Sequence, residues 1–298
     1  MEKNSSVEKN AIIATFLGHI LWGFTPLATR LGQRYVLPTH LLAHRFTAAF
    51  LISALLLLFG KEKIHLRGKK LMPLIGLCLC ELACFFFESY GIYYTNATTA
   101  SVFFAASPIA AILLSALFLR EYPTGGQVVF ALVSIAGVVM ITVGSSSLGV
   151  ATLTGIFLLL MYCFSSGAYK TVNRSASREF TPLERTFVLL GVCMVAFNAV
   201  TLFQLGGDLA AYVEPLTHPT YVVLILCLSI FASVAANMLI NFASRYISVT
   251  KMATFGAITT ICATFSGIVF LHEPFSIAVA AGAVLILLGV WQVTVRGK

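Results

Sequence analysis

Long apolar segments recur along this chain, and they constrain its fold more than any other feature. A helix needs about 20 residues to cross the roughly 30 Å of hydrocarbon in a bilayer. Ten segments of about this length are bounded by charged residues, Gly or Pro: 11–31, 38–59, 71–94, 97–119, 124–143, 150–171, 181–203, 220–243, 250–271 and 276–295. They lack the strict apolar–polar alternation of a membrane barrel. We therefore predict an all-α integral membrane protein with ten transmembrane helices.

The composition excludes a water-soluble fold. Of the 298 residues, 59% are hydrophobic and 10% are charged, and the mean hydropathy is +0.94. Soluble domains carry about a quarter charged residues. The net charge of +8 therefore indicates membrane orientation rather than a nucleic-acid partner. All seven cysteines lie in apolar segments, where free Cys packs as a small hydrophobe, and the sequence indicates no metal and no cofactor.

Basic residues are concentrated on one side of the predicted bundle. With a cytoplasmic N-terminus, all but three of the 19 Lys and Arg residues fall on the cytoplasmic side or in cytoplasmic loops, the exceptions being Arg30, Arg34 and Arg45. The positive-inside rule thus predicts two cytoplasmic termini in the inner (plasma) membrane of a bacterial cell. The most basic loop, Lys61 to Lys70, could instead bind anionic lipid, but topology already explains its charge.

The second half of the sequence repeats the first. Residues 94–143 and 246–295 align without gaps at an offset of 152, and both copies contain Phe-Leu-x-Glu. The first and sixth segments align at an offset of 140, which places Lys170 on Arg30. We predict one five-helix repeat at residues 1–146 and a second at 147–298. Because five is odd, the two copies are inverted in the membrane, as in many secondary transporters.

Several short motifs, taken in order, resemble those of a known family. They are Leu21-Trp22-Gly23-Phe24, His44-Arg45-Phe46, Pro108 in the fourth segment, and Phe118-Leu119-Arg120-Glu121-Tyr122 with its repeat Phe270-Leu271-His272-Glu273-Pro274. With the ten segments and the duplication, they make the chain similar to EamA-type transporters of the drug/metabolite transporter superfamily. The resemblance implies a ten-helix inverted-repeat fold, a central cavity, alternating access and export. Similar proteins move amino acids, sugars, nucleotide-sugars or other small metabolites.

Charged residues inside the apolar segments are few, and each is a candidate functional residue. A charge in hydrocarbon costs roughly 2.5 to 3.5 kcal/mol on insertion scales, so a partner or a wet cavity is expected. Arg45 and Glu88 lie roughly 10 Å below the outer ends of consecutive segments. Their matching depths predict an ion pair with a structural, gating or substrate-binding role. Arg30 and Lys170 lie at segment ends, where their side chains can snorkel to the interface.

Glu81 lies near the middle of the third segment, two helical turns from Glu88, and no basic residue is placed to match it. A carboxyl group in such surroundings can exchange a proton as a cavity opens, or can bind a cation. The alternative is a protonated Glu81 that hydrogen-bonds to a neighbouring helix. His19, also in a membrane segment, is a further titratable candidate for coupling or gating.

Aromatic, polar and helix-breaking residues supply the remaining candidates for substrate binding. Aromatic faces stack on planar groups or bind cations, and a helix interruption frees backbone groups to line a cavity. The candidates of this kind are Trp22, Tyr90, Phe104, Pro108, Asn237 and Thr260, which join Glu81 and Glu88. Each could equally serve helix packing.

These features favour a secondary active transporter of a small polar organic metabolite, with an amino acid or a related compound as the first expectation. One alternative is a transporter of organic cations such as quaternary amines, which would use Glu81, Glu88 and aromatic residues. Alternatives of another class are a membrane scaffold and an intramembrane enzyme. No paired nucleophile and base favours an enzyme, and a scaffold needs no inverted repeat. The expected partners are a small-molecule substrate, membrane lipid and, for coupling, a proton.

Overall fold

The computed structural model describes residues 2–60, 63–119, 152–247, 255–272 and 277–295, with Met252 and single positions between 126 and 140. The regular elements in these ranges are helices. In chain order the α-helices are α1 (Glu2–Gly23), α2 (Thr25–Gly32), α3 (Pro38–Phe59), α4 (Met72–Tyr94), α5 (Ala97–Leu119), α6 (Leu153–Ala176), α7 (Pro182–Gln204), α8 (Leu209–Val213), α9 (Pro219–Cys227), α10 (Ala236–Tyr246), α11 (Gly256–Leu271) and α12 (Ile277–Val295). A 3-10 turn, Glu214–Thr217, precedes α9, and a π-helical stretch, Leu228–Ala235, joins α9 to α10.

Among the described residues, six segments are long and apolar enough to cross a membrane. They are Val7–Gly32, Pro38–Phe59, Met72–Tyr94, Leu153–Ala176, Pro182–Gln204 and Pro219–Tyr246, and a shorter apolar stretch, Ile258–Leu271, lies in α11. The predicted segment 124–143 lies outside the described residues apart from single positions. The predicted repeat boundary at residues 146 and 147 lies outside them as well. The all-helical prediction is confirmed, and the count of ten stays a prediction.

Several helices begin with residues that favour the first turn of a helix. Proline occupies the first turn of α3, α7 and α9, where its missing N–H costs nothing. The Thr181 side chain accepts a hydrogen bond from the Glu184 backbone N–H, and the Glu184 carboxylate accepts one from the Thr181 N–H. This capping box satisfies two amide groups that the start of α7 would otherwise leave unpaired.

The first predicted segment, 11–31, is two helices rather than one. α1 ends at Gly23 and α2 restarts at Thr25, with Pro26 in its first turn. Proline lacks the N–H that would continue the α1 ladder. A Cβ atom at Gly23 would lie 2.4 Å from Cys262 Cβ in α11, so the close approach of α1 and α11 requires glycine at this position.

Equivalent helices of the two repeats make equivalent contacts. α4 and α5 of the first half pack on α6, and their counterparts α10 and α11 pack on α1. α3 packs on its counterpart α7, and α5 packs on its counterpart α11. A twofold exchange of the two copies maps each of these pairs onto another or onto itself, which is the packing that an inverted duplication produces.

A loop of the first half is clasped to the second half at the start of α7. The Glu184 carboxylate is only 2% exposed and accepts hydrogen bonds of 2.8 and 2.6 Å from Lys69 Nζ. The same carboxylate accepts a 2.9 Å bond from the His65 backbone N–H. Lys69, one of the basic residues attributed to topology, therefore also holds the 63–70 loop in place.

Candidate functional site

A central cavity of about 80 Å³ lies between the two halves of the bundle. Helices α1, α2, α3, α4, α5, α6, α10 and α11 contribute to its wall. The lining residues are His19, Trp22, Thr25, Arg45, Glu81, Cys84, Phe85, Glu88, Phe104, Tyr162, Ser166, Tyr169, Lys170, Asn173, Ile240, Ser244, Met252 and Thr259.

Two acidic and two basic side chains meet in this cavity. Glu81 and Glu88 project from one face of α4, Arg45 from α3, and Lys170 from α6. Side chains separated by seven residues lie two turns apart on one helix face, which explains how α4 presents both carboxyl groups to the same space. The cavity thus offers partners for both signs of charge.

Arg45 and Glu88 share the cavity but do not form the ion pair that their matching depths predict. Within the described part of the chain, no carboxylate oxygen lies within 4.0 Å of the Arg45 guanidinium. Arg45 Nε instead donates a 2.7 Å hydrogen bond to Ser233 Oγ. The guanidinium carbon also lies 5.3 Å from the ring centres of Phe46 and Phe85, at cation–π distance.

The position of Lys170 near a segment end predicts that its side chain snorkels to the interface, but the side chain does not do so. Its Nζ donates a 2.7 Å hydrogen bond to Ser107 Oγ on α5, and its side chain lines the cavity. The helix α6 extends to Ala176, so Lys170 lies more than one turn inside its end. The midplane carboxyl of Glu81 therefore shares its cavity with a cation, contrary to the sequence-based expectation.

His19 and Trp22 line the wall formed by α1, and both are fixed by contacts with the second half. The Thr259 hydroxyl donates to the His19 carbonyl oxygen, and His19 Nδ1 lies 2.8 Å from the same hydroxyl oxygen. Because the single hydroxyl proton is used, Nδ1 is the donor, and Nε2 is the acceptor of the neutral ring. Trp22 Nε1 donates a 3.2 Å bond to the Ala232 carbonyl in the π-helical stretch.

Aromatic rings form the opposite wall. Phe104 from α5 and Tyr162 from α6 pack with ring centres 4.6 Å apart. Tyr162 was not among the sequence candidates, although the offset of 140 places it on Trp22. The alignment of the two repeats therefore indicates Tyr162 as a candidate, because it occupies the position of Trp22 in the other copy.

Four sequence candidates do not contribute a described side chain to the cavity wall. Tyr90 packs against Phe86 on its own helix, with ring centres 4.8 Å apart. Asn237 donates to the Ser233 carbonyl one turn earlier, and Thr260 bonds to the Gly256 carbonyl, while its neighbour Thr259 faces the cavity. Pro108 lies within α5, and its side chain lies outside the described residues.

A helical membrane bundle in which two inverted repeats surround a charged central cavity is typical of secondary transporters. The sequence profile described as the EamA-like transporter family matches this chain twice, at residues 9–143 and 153–295. The chain therefore belongs to the EamA-like transporter family, within the drug/metabolite transporter superfamily. The resemblance drawn from the motifs is confirmed, and the protein is a multi-pass membrane transporter.

Two relatives are similar over nearly the whole chain. The uncharacterized transporter YcxC of Bacillus subtilis (strain 168) is 33% identical over 284 residues, which cover 94% of this chain and 91% of the relative. An uncharacterized transporter of Archaeoglobus fulgidus is 25% identical over 276 residues, covering 91% and 94%. A crystal structure of another protein, 18% identical, superposes with a TM-score of 0.69 over 97% of this chain and 98% of that chain, and it shows the shared fold.

Proposed function

We propose that the protein is a secondary active transporter that moves a small zwitterionic metabolite, an amino acid or a close relative, by alternating access. One observation carries the proposal: two carboxyl groups and two cationic groups line the same cavity between the halves. A zwitterion matches such a cavity, because Arg45 or Lys170 can pair with its carboxylate and Glu81 or Glu88 with its ammonium group. We place the protein in the plasma membrane with both termini in the cytoplasm, and we propose export.

The aromatic wall contributes contact area for the substrate side chain. Trp22 and Phe104 offer apolar faces, and the hydroxyl of Tyr162 and the Nε2 atom of His19 add polar positions. Pockets of this kind bind most of the ligand surface by apolar contact and set its orientation with a few polar groups. The charges therefore select the zwitterion, and the rings select among side chains.

A ligand series that changes one charge at a time tests the proposal. Each amino acid is compared with its decarboxylated amine and with its deaminated acid, for example phenylalanine, phenethylamine and 3-phenylpropanoate. A ligand that binds the folded state raises the unfolding temperature of the purified protein. We expect a rise with members that carry both charges and none with either single-charge analogue. An equal rise with the amine alone would contradict the zwitterion.

Organic cations are the second candidate substrates, and the pair Glu81 and Glu88 with its aromatic neighbours favours them. The cations Arg45 and Lys170 in the same cavity weigh against this candidate, since they repel a ligand that carries only positive charge. A membrane scaffold needs no charged cavity between exchanged repeats, and an intramembrane enzyme would need the paired nucleophile and base that the sequence does not indicate.

Replacement of Lys170 separates the two candidates. Lys170→Met keeps the length of the side chain and removes its charge. We expect amino-acid affinity to fall about tenfold, which corresponds to roughly 1.4 kcal/mol, and affinity for quaternary amines to rise. Lys170→Arg is the matched control and should retain amino-acid binding. Unchanged amino-acid binding in Lys170→Met would remove Lys170 from the site.

A further inference from the structure

Polar residues at opposite ends of the bundle occupy equivalent positions in the two repeats. The offset of 140 places Asn173 on Gln33 and Arg185 on Arg45, and the offset of 152 places Asn241 on Ser89 and Ser244 on Ile92. Gln33 and Ser89 lie at the ends of α2 and α4, whereas their counterparts lie near the ends of α6 and α10. Because Thr152, at the start of α6, bonds to Tyr94, α6 runs back along α4 and the two sets lie at opposite ends.

Each end of the bundle has hydrogen bonds between the helices that carry these equivalent positions, although the bonding atoms differ between the two ends. At one end Gln33 Nε2 donates a 2.8 Å bond to the Ser89 carbonyl, and Arg30 donates to the Ile92 carbonyl. At the other end Asn173 Nδ2 donates a 3.0 Å bond to Asn241 Oδ1. There Arg174 also donates to the carbonyl of Ser244, the counterpart of Ile92. These contacts join α2 to α4 at one end and α6 to α10 at the other.

The two equivalent arginines differ in what they bind. Arg185 is fully buried and inserts into the contact of its own end, donating to the Asn173 side chain, the Asn241 carbonyl and Ser244 Oγ. Arg45 does not bond to Gln33 or Ser89. It donates to Ser233 and faces the cavity. Arginine therefore occupies the equivalent position in both repeats, but the two arginine side chains make different contacts.

Arg185 is a costly choice for a purely structural contact. In the part of the chain that the structure describes, no carboxylate oxygen lies within 4.0 Å of its guanidinium, and its Nε has no hydrogen-bond partner. Replacement of buried ionic groups by apolar residues of similar volume is often neutral or stabilising, so a buried charge is weak evidence of a stabilising role. The contact is thus one that the protein can break and remake.

We propose that Arg185 and Arg45 are a pair of alternating gate residues. Arg185 locks α6 to α10 in the present conformation, while Arg45 is released into the cavity. In the other conformation Arg45 inserts between Gln33 and Ser89, and Arg185 leaves Asn173 and Asn241 and turns toward the cavity. The physical basis is that inverted repeats interchange their conformations when the cavity changes the side to which it opens. This inference rests on the proposed alternating access.

Distances between spin labels at the two ends test the exchange without any substrate. In a background without the seven native cysteines, one label pair replaces the exposed residues Ser175 and Tyr246, near the ends of α6 and α10. A second pair replaces Arg34 and Tyr94 at the other end. Pulsed electron–electron double resonance in nanodiscs then gives the fraction of molecules in which each end is open.

Arg185→Gln should raise the long-distance fraction of the Ser175–Tyr246 pair about threefold or more, because the lock of that end is weakened. Arg45→Gln should lower the same fraction, since it weakens the lock of the opposite end. Arg185→Lys keeps the charge but loses the planar fork, so a smaller rise is expected, and it supplies the test if Arg185→Gln does not fold. Arg178→Gln, with an exposed side chain at the same end, is the control and should change nothing.

A folded Arg185→Gln with unchanged distances, or a shift of the same sign in Arg45→Gln, would overturn the gate pair. Uptake of radiolabelled amino acids by the wild-type protein in liposomes is measured separately. Opposite shifts of the two variants without any uptake would leave the gate standing and would reject the proposed substrate. Uptake with unchanged distances would reject the gate and leave the proposed function standing.

Discussion

At the scale of single residues, the cavity shows how buried charge is tolerated in a membrane protein. Glu81 and Arg45 are 5% and 2% exposed, and each faces a space shared with groups of opposite charge rather than a fixed partner at ion-pair distance. A permanent ion pair would satisfy both groups but would leave neither free for a ligand. The open arrangement suits a binding site, in which the substrate completes the charge balance.

Glu81→Gln tests whether this carboxyl couples transport to protons. The substitution keeps size and hydrogen bonding and removes titration. If Glu81 carries the proton, the variant should still exchange substrate across liposome membranes but should lose accumulation driven by a pH gradient. If Glu81 instead recognises the ammonium group, binding itself should weaken, and more for charged than for neutral ligands. Normal transport with normal pH dependence would show that Glu81 is a packing residue.

At the scale of elements, stability depends on close helix contacts and on the ends of helices. α1 can approach α11 because Gly23 has no side chain, and α7 is anchored at its start by the capping box and Lys69. Neither feature lies in the cavity wall. The close contact at Gly23 holds α1, which carries the wall residues His19 and Trp22, and the contacts of Glu184 hold α7, which carries Arg185.

Gly23→Ala should destabilise the contact between α1 and α11. The added Cβ would lie 2.4 Å from Cys262 Cβ, so one helix must move, at a cost of about 1–3 kcal/mol. Thermal unfolding in detergent measures the loss, and Cys262→Gly in the same chain should recover much of it. Gly76→Ala is the control, because its Cβ would meet Val172 at 3.5 Å, an ordinary contact. Equal stability of Gly23→Ala and wild type would contradict the close approach.

Glu184→Ala should destabilise the start of α7. The substitution removes the acceptor for Lys69, for the His65 amide and for the capping box, and it leaves their donors without a partner. We expect a loss of about 3 kcal/mol, measured by thermal unfolding. Glu179→Ala removes an exposed carboxylate that accepts one bond from the Lys70 amide, and it should cost less than about 1 kcal/mol. A similar loss in both variants would show that the clasp contributes little.

At the scale of the whole molecule, the two repeats exchange partners so that each cavity wall contains helices of both halves. α4 and α6 form one such pair, and α10 and α1 form the equivalent pair. A cavity built in this way can open at either end by the same movement applied to either copy. The orientation of the bundle then decides which end faces the cytoplasm.

Labelling of single cysteines tests the orientation. Cysteines replace Lys63 and Glu214 one at a time in a chain without the seven native cysteines. A reagent that cannot cross the membrane should label the Glu214 position in intact cells, and it should label the Lys63 position after the cells are opened, because the basic loops are retained in the cytoplasm. Labelling of the Lys63 position in intact cells would reverse the predicted topology.

The class of protein, the duplication and part of the site can be read from the amino-acid sequence. The apolar segments and the family motifs identified a helical membrane transporter, and Trp22, Arg45, Glu81, Glu88, Phe104 and His19 were found among the cavity residues because a charge or a large ring in a membrane segment is conspicuous. Gly23 and Pro26 are residues that interrupt helices, and the structure places the break in the first segment between them.

Which of these residues meet depends on how the helices pack. The depth of a residue follows from its position in a segment, but the direction of its side chain depends on the rotation and crossing of the helices, which arise from contacts between residues far apart in the chain. Depth alone paired Arg45 with Glu88, whereas the packing of α3 on the π-helical stretch directs Arg45 to Ser233. Other contacts between distant helices place Lys170 in the cavity, beside Ser107 of α5, and bury Arg185 between α6 and α10.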